Sequence, residues 1–97
     1  MELDILLGYS VPTDITKLTA HRLRNIRKRK KISQEELSKK SGVSLSSLKR
    51  FEHTGDISYL SLVKLAFALD VENDLKNLFE KVPYNSIEEI INEQKNT

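Results

Sequence analysis

Apolar positions along the chain fall into short blocks with helical spacing, each bounded by residues that start or stop helices. Residues 3–11 are largely apolar, contain Gly8 and end at Pro12, which reads as an extended arm or a short strand. From Thr13 or Asp14 onward, Ile15, Leu18, Leu23 and Ile26 recur near 3.6-residue spacing, with no Gly or Pro before Gly42. This predicts a first helix over about 14–30. Ser33 offers an N-cap and Glu36 completes a capping box ahead of Leu37, so a second helix is expected over 34–41. Gly42 closes it in the left-handed conformation. Ser44 caps a third helix, about 45–53, whose Leu48 and Phe51 face inward, and Val43 plugs the turn before it.

Thr54-Gly55-Asp56 breaks that helix, and Ser58 opens a fourth over about 59–69 with Tyr59, Leu62, Val63, Ala66 and Leu69 as its expected core stripe. A fifth, about 73–80, adds Leu75, Leu78 and Phe79, and Pro83 ends the unit. Ser86 begins a second capping box, which predicts a C-terminal helix over about 87–94 with Ile87, Ile90 and Ile91 on one face. The reading is therefore all-α, with an N-terminal arm (1–13), a helical domain (14–81) and a C-terminal tail with a short helix (82–97). The second and third helices, joined by a tight Gly-containing turn, form a helix-turn-helix by geometry.

Composition narrows the function classes. At 97 residues, 38% apolar and 31% charged, the chain has room for one small domain with a thin core. It has no cysteine, so disulfides, Cys-based zinc sites and thiol nucleophiles are excluded. No apolar run approaches the ~18 residues that cross a bilayer, and the acidic Met1-Glu2-Leu3-Asp4 start is unlike a signal peptide. A cytoplasmic protein with no membrane partner is expected. His21 and His53 lack an evident carboxylate or thiol arrangement, and no phosphate-cradling Gly loop or metal-ligand spacing occurs. Neither an enzyme, a cofactor nor a metal is therefore predicted.

The net charge of +2 conceals an asymmetry. Residues 1–53 carry 12 Lys/Arg against 6 Asp/Glu, whereas residues 54–97 carry 4 against 8. A basic front half suits a polyanion, although a solvated charged face has the same composition. Arg22, Arg24, Arg27, Lys28, Arg29, Lys30 and Lys31 exceed what compensation of a helix dipole asks for.

Ordered features across 23–79 now point to a family. They are Arg27, then Ser33-Gln34-Glu35-Glu36-Leu37, then Ser41-Gly42-Val43-Ser44, then Leu48 and Phe51-Glu52, then a helix ending Leu65-Ala66-Phe67-Ala68-Leu69. The stretch resembles the XRE family, which includes phage Cro and lambda-type repressors. The resemblance implies a compact lambda-repressor-like five-helix domain whose third helix lies in the major groove of double-stranded DNA.

Once Leu48 and Phe51 have gone to the core, Leu45, Ser46, Ser47, Lys49 and Arg50 remain at the start and outer face of the third helix. By resemblance, Leu45, Ser46 and Arg50 stand where family members touch base edges. A guanidinium can fork onto guanine O6 and N7, and Leu45 suits a thymine methyl. Gln34 stands where family members set an amide against a phosphate. Ser44, Lys49, His53, Lys30 and Lys31 are further phosphate candidates, with His53 standing where Asn is commoner. Arg27 and Glu52 occupy positions that often form an ion pair between the first and third helices, a structural role. Lys31 stands where family members often have Gly, so the first helix is expected to end differently.

Leu60 and Phe67 lie seven apart on a stripe beside the expected core face of the fourth helix. They mark an interface, unless the arm or the tail helix covers them. The expected assembly is a homodimer on a near-palindromic operator. Residues 51–58 and the Pro-Tyr-x-Ser-Ile-Glu-Glu tail also resemble the branch of XRE proteins encoded beside HipA-type kinases, which implies a HipB-like antitoxin with a toxin partner. A protein-interaction module without DNA binding is the competing class. RNA is disfavoured, because no aromatic is free on the basic surface to stack bases.

Overall fold

The computed structural model describes residues 8, 11–82 and 91–94, and among these it is all-helical with no strand. Five helices follow in order: α1 (Pro12–Arg29), α2 (Gln34–Ser41), α3 (Leu45–Thr54), α4 (Tyr59–Ala68) and α5 (Glu72–Lys76). α1 starts earlier than expected because Pro12 itself takes the first helical position, where its missing N–H is no loss. The Val11 N–H donates to the Asp14 carboxylate at 3.0 Å, satisfying one amide at the helix entrance. Of the expected C-terminal helix, residues 91–94 are helical. The remainder of that helix, and most of the expected arm, lie outside the described residues.

The three serine caps form. Ser33, Ser44 and Ser58 accept from the backbone N–H groups of Glu36, Ser47 and Ser61 at 3.0, 3.2 and 3.1 Å. Gly42 and Gly55 end α2 and α3 at φ 77° and 83°, the left-handed region that glycine enters without steric cost. α1 ends in the same manner despite lacking glycine, contrary to expectation. Lys31 takes φ 57°, and the Ile32 N–H reaches the Arg27 carbonyl while the Lys31 N–H reaches that of Lys28. These two bonds make a Schellman turn around a non-glycine residue, which pays a steric penalty on the order of 1 kcal/mol to keep its charge there.

The core is built from Phe51, Leu48, Leu37, Leu65 and Leu69, with Ala20, Val43 and Ala68 filling between them. Burial of each large side chain is worth roughly 1.5–3 kcal/mol. α1 packs on α3, α2 on α3 and α4, and α4 on α5, so α3 is enclosed on its inner side and open on its outer one.

The expected core needs three corrections. Tyr59 is 58% exposed, and Leu65 and Ala68 are buried instead, because α4 is apolar almost all round and spacing alone leaves its rotation undetermined. Ile15 is likewise exposed, leaving Leu18 and Ala20 to face inward from α1. α5 closes at Lys76, so Leu75 is half-buried while Leu78 and Phe79 stay exposed.

Gly55 does more than end a helix. A Cβ there would lie 2.7 Å from the Thr16 carbonyl carbon and 2.9 Å from the Lys17 nitrogen, both main-chain atoms of α1, whereas one at Gly42 meets nothing within 4 Å. Gly42→Ala should therefore lose about 1 kcal/mol for left-handed strain alone. Gly55→Ala adds overpacking against backbone and should lose about 3 kcal/mol or more. Urea denaturation of the two variants measures the difference, and equal losses would remove the close approach of α3 to α1.

Candidate nucleic-acid interface

The orientation of α3 is set by a buried polar junction. Arg27 is 8% exposed and the Glu52 side chain 6%. The Arg27 guanidinium donates from Nε to Glu52 Oε2 at 2.8 Å and from Nη2 to Oε1 at 2.9 Å, a bidentate fork. Its Nη1 donates to the Ile32 carbonyl at 2.9 Å, holding the α1–α2 connection. Gln34 completes the junction, its Nε2 donating to Glu52 Oε1 at 3.0 Å. One carboxylate on α3 is thereby tied to α1 and α2.

The turn between α2 and α3 has no loose main-chain groups at Val43. The Val43 carbonyl accepts from Ser38 Oγ at 2.6 Å, and its N–H donates to Ser41 Oγ at 3.1 Å. The Val43 side chain is buried below. α3 then leaves the turn with a fixed start and direction.

Leu48 and Phe51 fill the core, so the other side of α3 faces outward. Ser46, Lys49, Arg50 and His53 are exposed, and Leu45 is partly buried at the first turn. Arg50 Nε lies 3.6 Å from Asp56 Oδ2, a pair with both side chains open to solvent and so worth little. This contact holds the guanidinium beside the outer face without neutralising a buried group. Ser46 Oγ lies 3.3 Å from Ser44 Oγ.

Two of the phosphate candidates have further duties. The Ser44 hydroxyl caps α3 and donates to Ser47 Oγ at 2.8 Å, so much of its hydrogen-bonding capacity is used. Gln34 is by resemblance a phosphate candidate, and one of its two amide N–H groups goes to Glu52. No motif announces that bond, which depends on α3 passing under the start of α2. Lys30 and Lys31, at the end of α1, are exposed, as is His53 at the far end of α3. Among the described residues, no group of three His, Asp or Glu is placed to hold a metal ion, and no helix is long and apolar enough to cross a membrane.

A two-helix reading unit with a cationic outer face, braced by a third helix, defines a helix-turn-helix DNA-binding domain. The sequence model of the family described as Helix-turn-helix matches residues 23–72, a little over half of the chain. The chain belongs to this family, the XRE-family helix-turn-helix domains of lambda-repressor-like fold. No curated protein and no solved structure matches it.

The junction yields a thermodynamic test. Glu52→Ala leaves Arg27 buried without its counter-charge and should destabilise the chain by about 3–5 kcal/mol, whereas an apolar pair, Arg27→Met with Glu52→Leu, should lose clearly less. Chemical denaturation of the three proteins decides it. An Ala variant as stable as the parent would mean that the junction carries no net energy.

Proposed function

We propose that the chain is a sequence-specific regulator of transcription that binds double-stranded DNA as a homodimer on a near-palindromic operator, acting as a repressor. The observation that carries this reading is the outer face of α3. Ser46, Lys49 and Arg50 stand exposed on a helix whose opposite face is locked by Phe51 and by the Arg27–Glu52 pair. In this reading Leu45, Ser46 and Arg50 contact base edges, with Arg50 able to exchange its weak pair with Asp56 for a guanine. Gln34 through its second N–H, together with Ser44, Lys49, His53, Lys30 and Lys31, contacts phosphates and fixes register.

The second surface supports an assembly. Leu60 is 65% exposed and Phe67 56% exposed, seven residues apart on one stripe of α4. Large apolar side chains left in water along one stripe favour association. A two-fold pair would place two α3 helices against half-sites one helical turn, about 34–36 Å, apart. The same stripe supports a second reading, a HipB-like antitoxin in which a toxin partner occupies part of this face.

Selection of bound duplexes from a random pool tests the main reading. A palindrome with half-sites about 10–10.5 bp apart is expected, and no enrichment by the folded protein would remove it. Arg50→Ala should relax preference at one base position by about 1–3 kcal/mol and leave binding to scrambled duplex nearly intact. Equal losses on both duplexes would return Arg50 to the phosphate class. Phe67→Glu should convert the dimer to a monomer in sedimentation, and an intact dimer would place the interface elsewhere.

A further inference from the structure

One row of basic side chains on α1 is not used by the reading above. Lys17, His21 and Arg24 are exposed on α1, and with Ala20, Glu52, His53 and Gly55 they line a cleft of about 150 Å³ between α1 and the end of α3. Spacings of four and three residues put Lys17, His21 and Arg24 on one face of α1, and Lys28 continues the row at the next turn. Glu52 is the only carboxylate among the lining residues, and both of its oxygens already accept from Arg27, with Gln34 adding a third bond. Arg24 Nε is 3.9 Å from Glu52 Oε1, at the limit of an ion pair, and its side chain is about half exposed along the cleft. The Nδ2 of Asn25 lies 3.2 Å from His21 Nε2, which ties the ring to the next turn of α1.

The cleft therefore presents two positively charged side chains and two imidazoles around a space with room for a small oxyanion. It is also placed along the reading face. His53 lies three residues beyond Arg50 and seven beyond Ser46, on the same side of α3.

We propose that Lys17, His21, Arg24 and His53 form a phosphate site that takes a DNA backbone phosphate beyond the end of the reading helix. The row on α1 extends the electrostatic footprint past Lys30 and Lys31. This inference rests on the DNA-binding reading and adds to it a strand contact made by α1. Such contacts raise affinity on every sequence and read none of them.

The test is the salt dependence of binding by the full chain, followed by fluorescence anisotropy between about 50 and about 200 mM salt on operator-like and scrambled duplexes. Losing one phosphate contact lowers the slope of log K against log salt by about 0.9. Lys17→Ala with Arg24→Ala removes the contact to that one phosphate and should lower it by about 0.9, equally on both duplexes and with sequence preference unchanged. Lys17→Ala alone should give about half that change, and Lys76→Ala on α5 none. Both cleft residues are exposed, so thermal unfolding of the double variant should match the parent.

An unchanged slope in the double variant, with Lys49→Ala still lowering it, would overturn the phosphate site and leave DNA binding by α3 intact. Absence of any salt-dependent binding by the parent would overturn both. Inorganic phosphate, titrated while the imidazole resonances of His21 and His53 are followed by NMR, separates the sources. Weak binding that moves both rings and disappears in the double variant is expected. Tight saturation with an unaffected DNA slope would make the cleft a small-anion site and overturn the proposal.

Discussion

The buried carboxylate of Glu52 is the constraint on which the arrangement depends. A helix docked by apolar side chains alone can slide or rotate slightly at little cost, because dispersion contacts have no preferred direction. A carboxylate gripped by a guanidinium fork and an amide cannot, since its bonds weaken steeply as their angles change. Glu52 receives donors from α1 and α2 at once, and Arg27 passes the restraint on to the Ile32 carbonyl at the α1–α2 turn. Desolvating this pair is unfavourable, and an apolar replacement is often no less stable. What the pair supplies is a direction for the outer face of α3, which stability alone would not give.

The same pairing shapes the surface charge. Arg27 and Glu52 neutralise each other in the interior, so the positive charge that α1 shows to solvent comes from its other cations. Lys28, Arg29, Lys30 and Lys31 gather at one end of α1, while Lys17, His21 and Arg24 flank the other end of α3. The apolar excess of α4, at Leu60 and Phe67, stands exposed on a helix that packs against α2 and α5. A cationic face and an apolar face thus share a small core without competing for it.

The fold is legible in the sequence wherever a local rule has one solution. Ser33, Ser44 and Ser58 mark helix starts, Gly42 and Gly55 mark ends, and each performs that function. α4 is legible as a helix and illegible in its rotation, because Tyr59, Leu62, Val63, Leu65 and Ala66 offer more than one apolar face and only tertiary packing selects among them. Lys31 gives no sign of its left-handed backbone, since a lysine carries none of the markers that glycine or asparagine do. The exposed side of α3 follows from removing Leu48 and Phe51, and the Arg27–Glu52 pair from family resemblance. Gln34 enters the sequence reading as a phosphate candidate by family resemblance, and its bond to Glu52 depends on a helix crossing that spacing does not encode. The row through Lys17, His21 and Arg24 is present as a seven-residue periodicity and is overshadowed by the denser run of charge after it.

The close approach of Gly55 to the main chain of α1 has a consequence for how such a domain changes over time. Because α3 rests there against Thr16 and Lys17 through backbone atoms, the seating of that end does not depend on which side chains the outer surface carries. Ser46, Lys49, Arg50 and His53 contribute nothing to the core. In the DNA-binding reading proposed above, substitutions at Ser46 and Arg50 change target preference while leaving folding untouched, so the molecule behaves as a fixed chassis with an exchangeable lettering. Its capacity to acquire a new target is greatest where its contribution to stability is least.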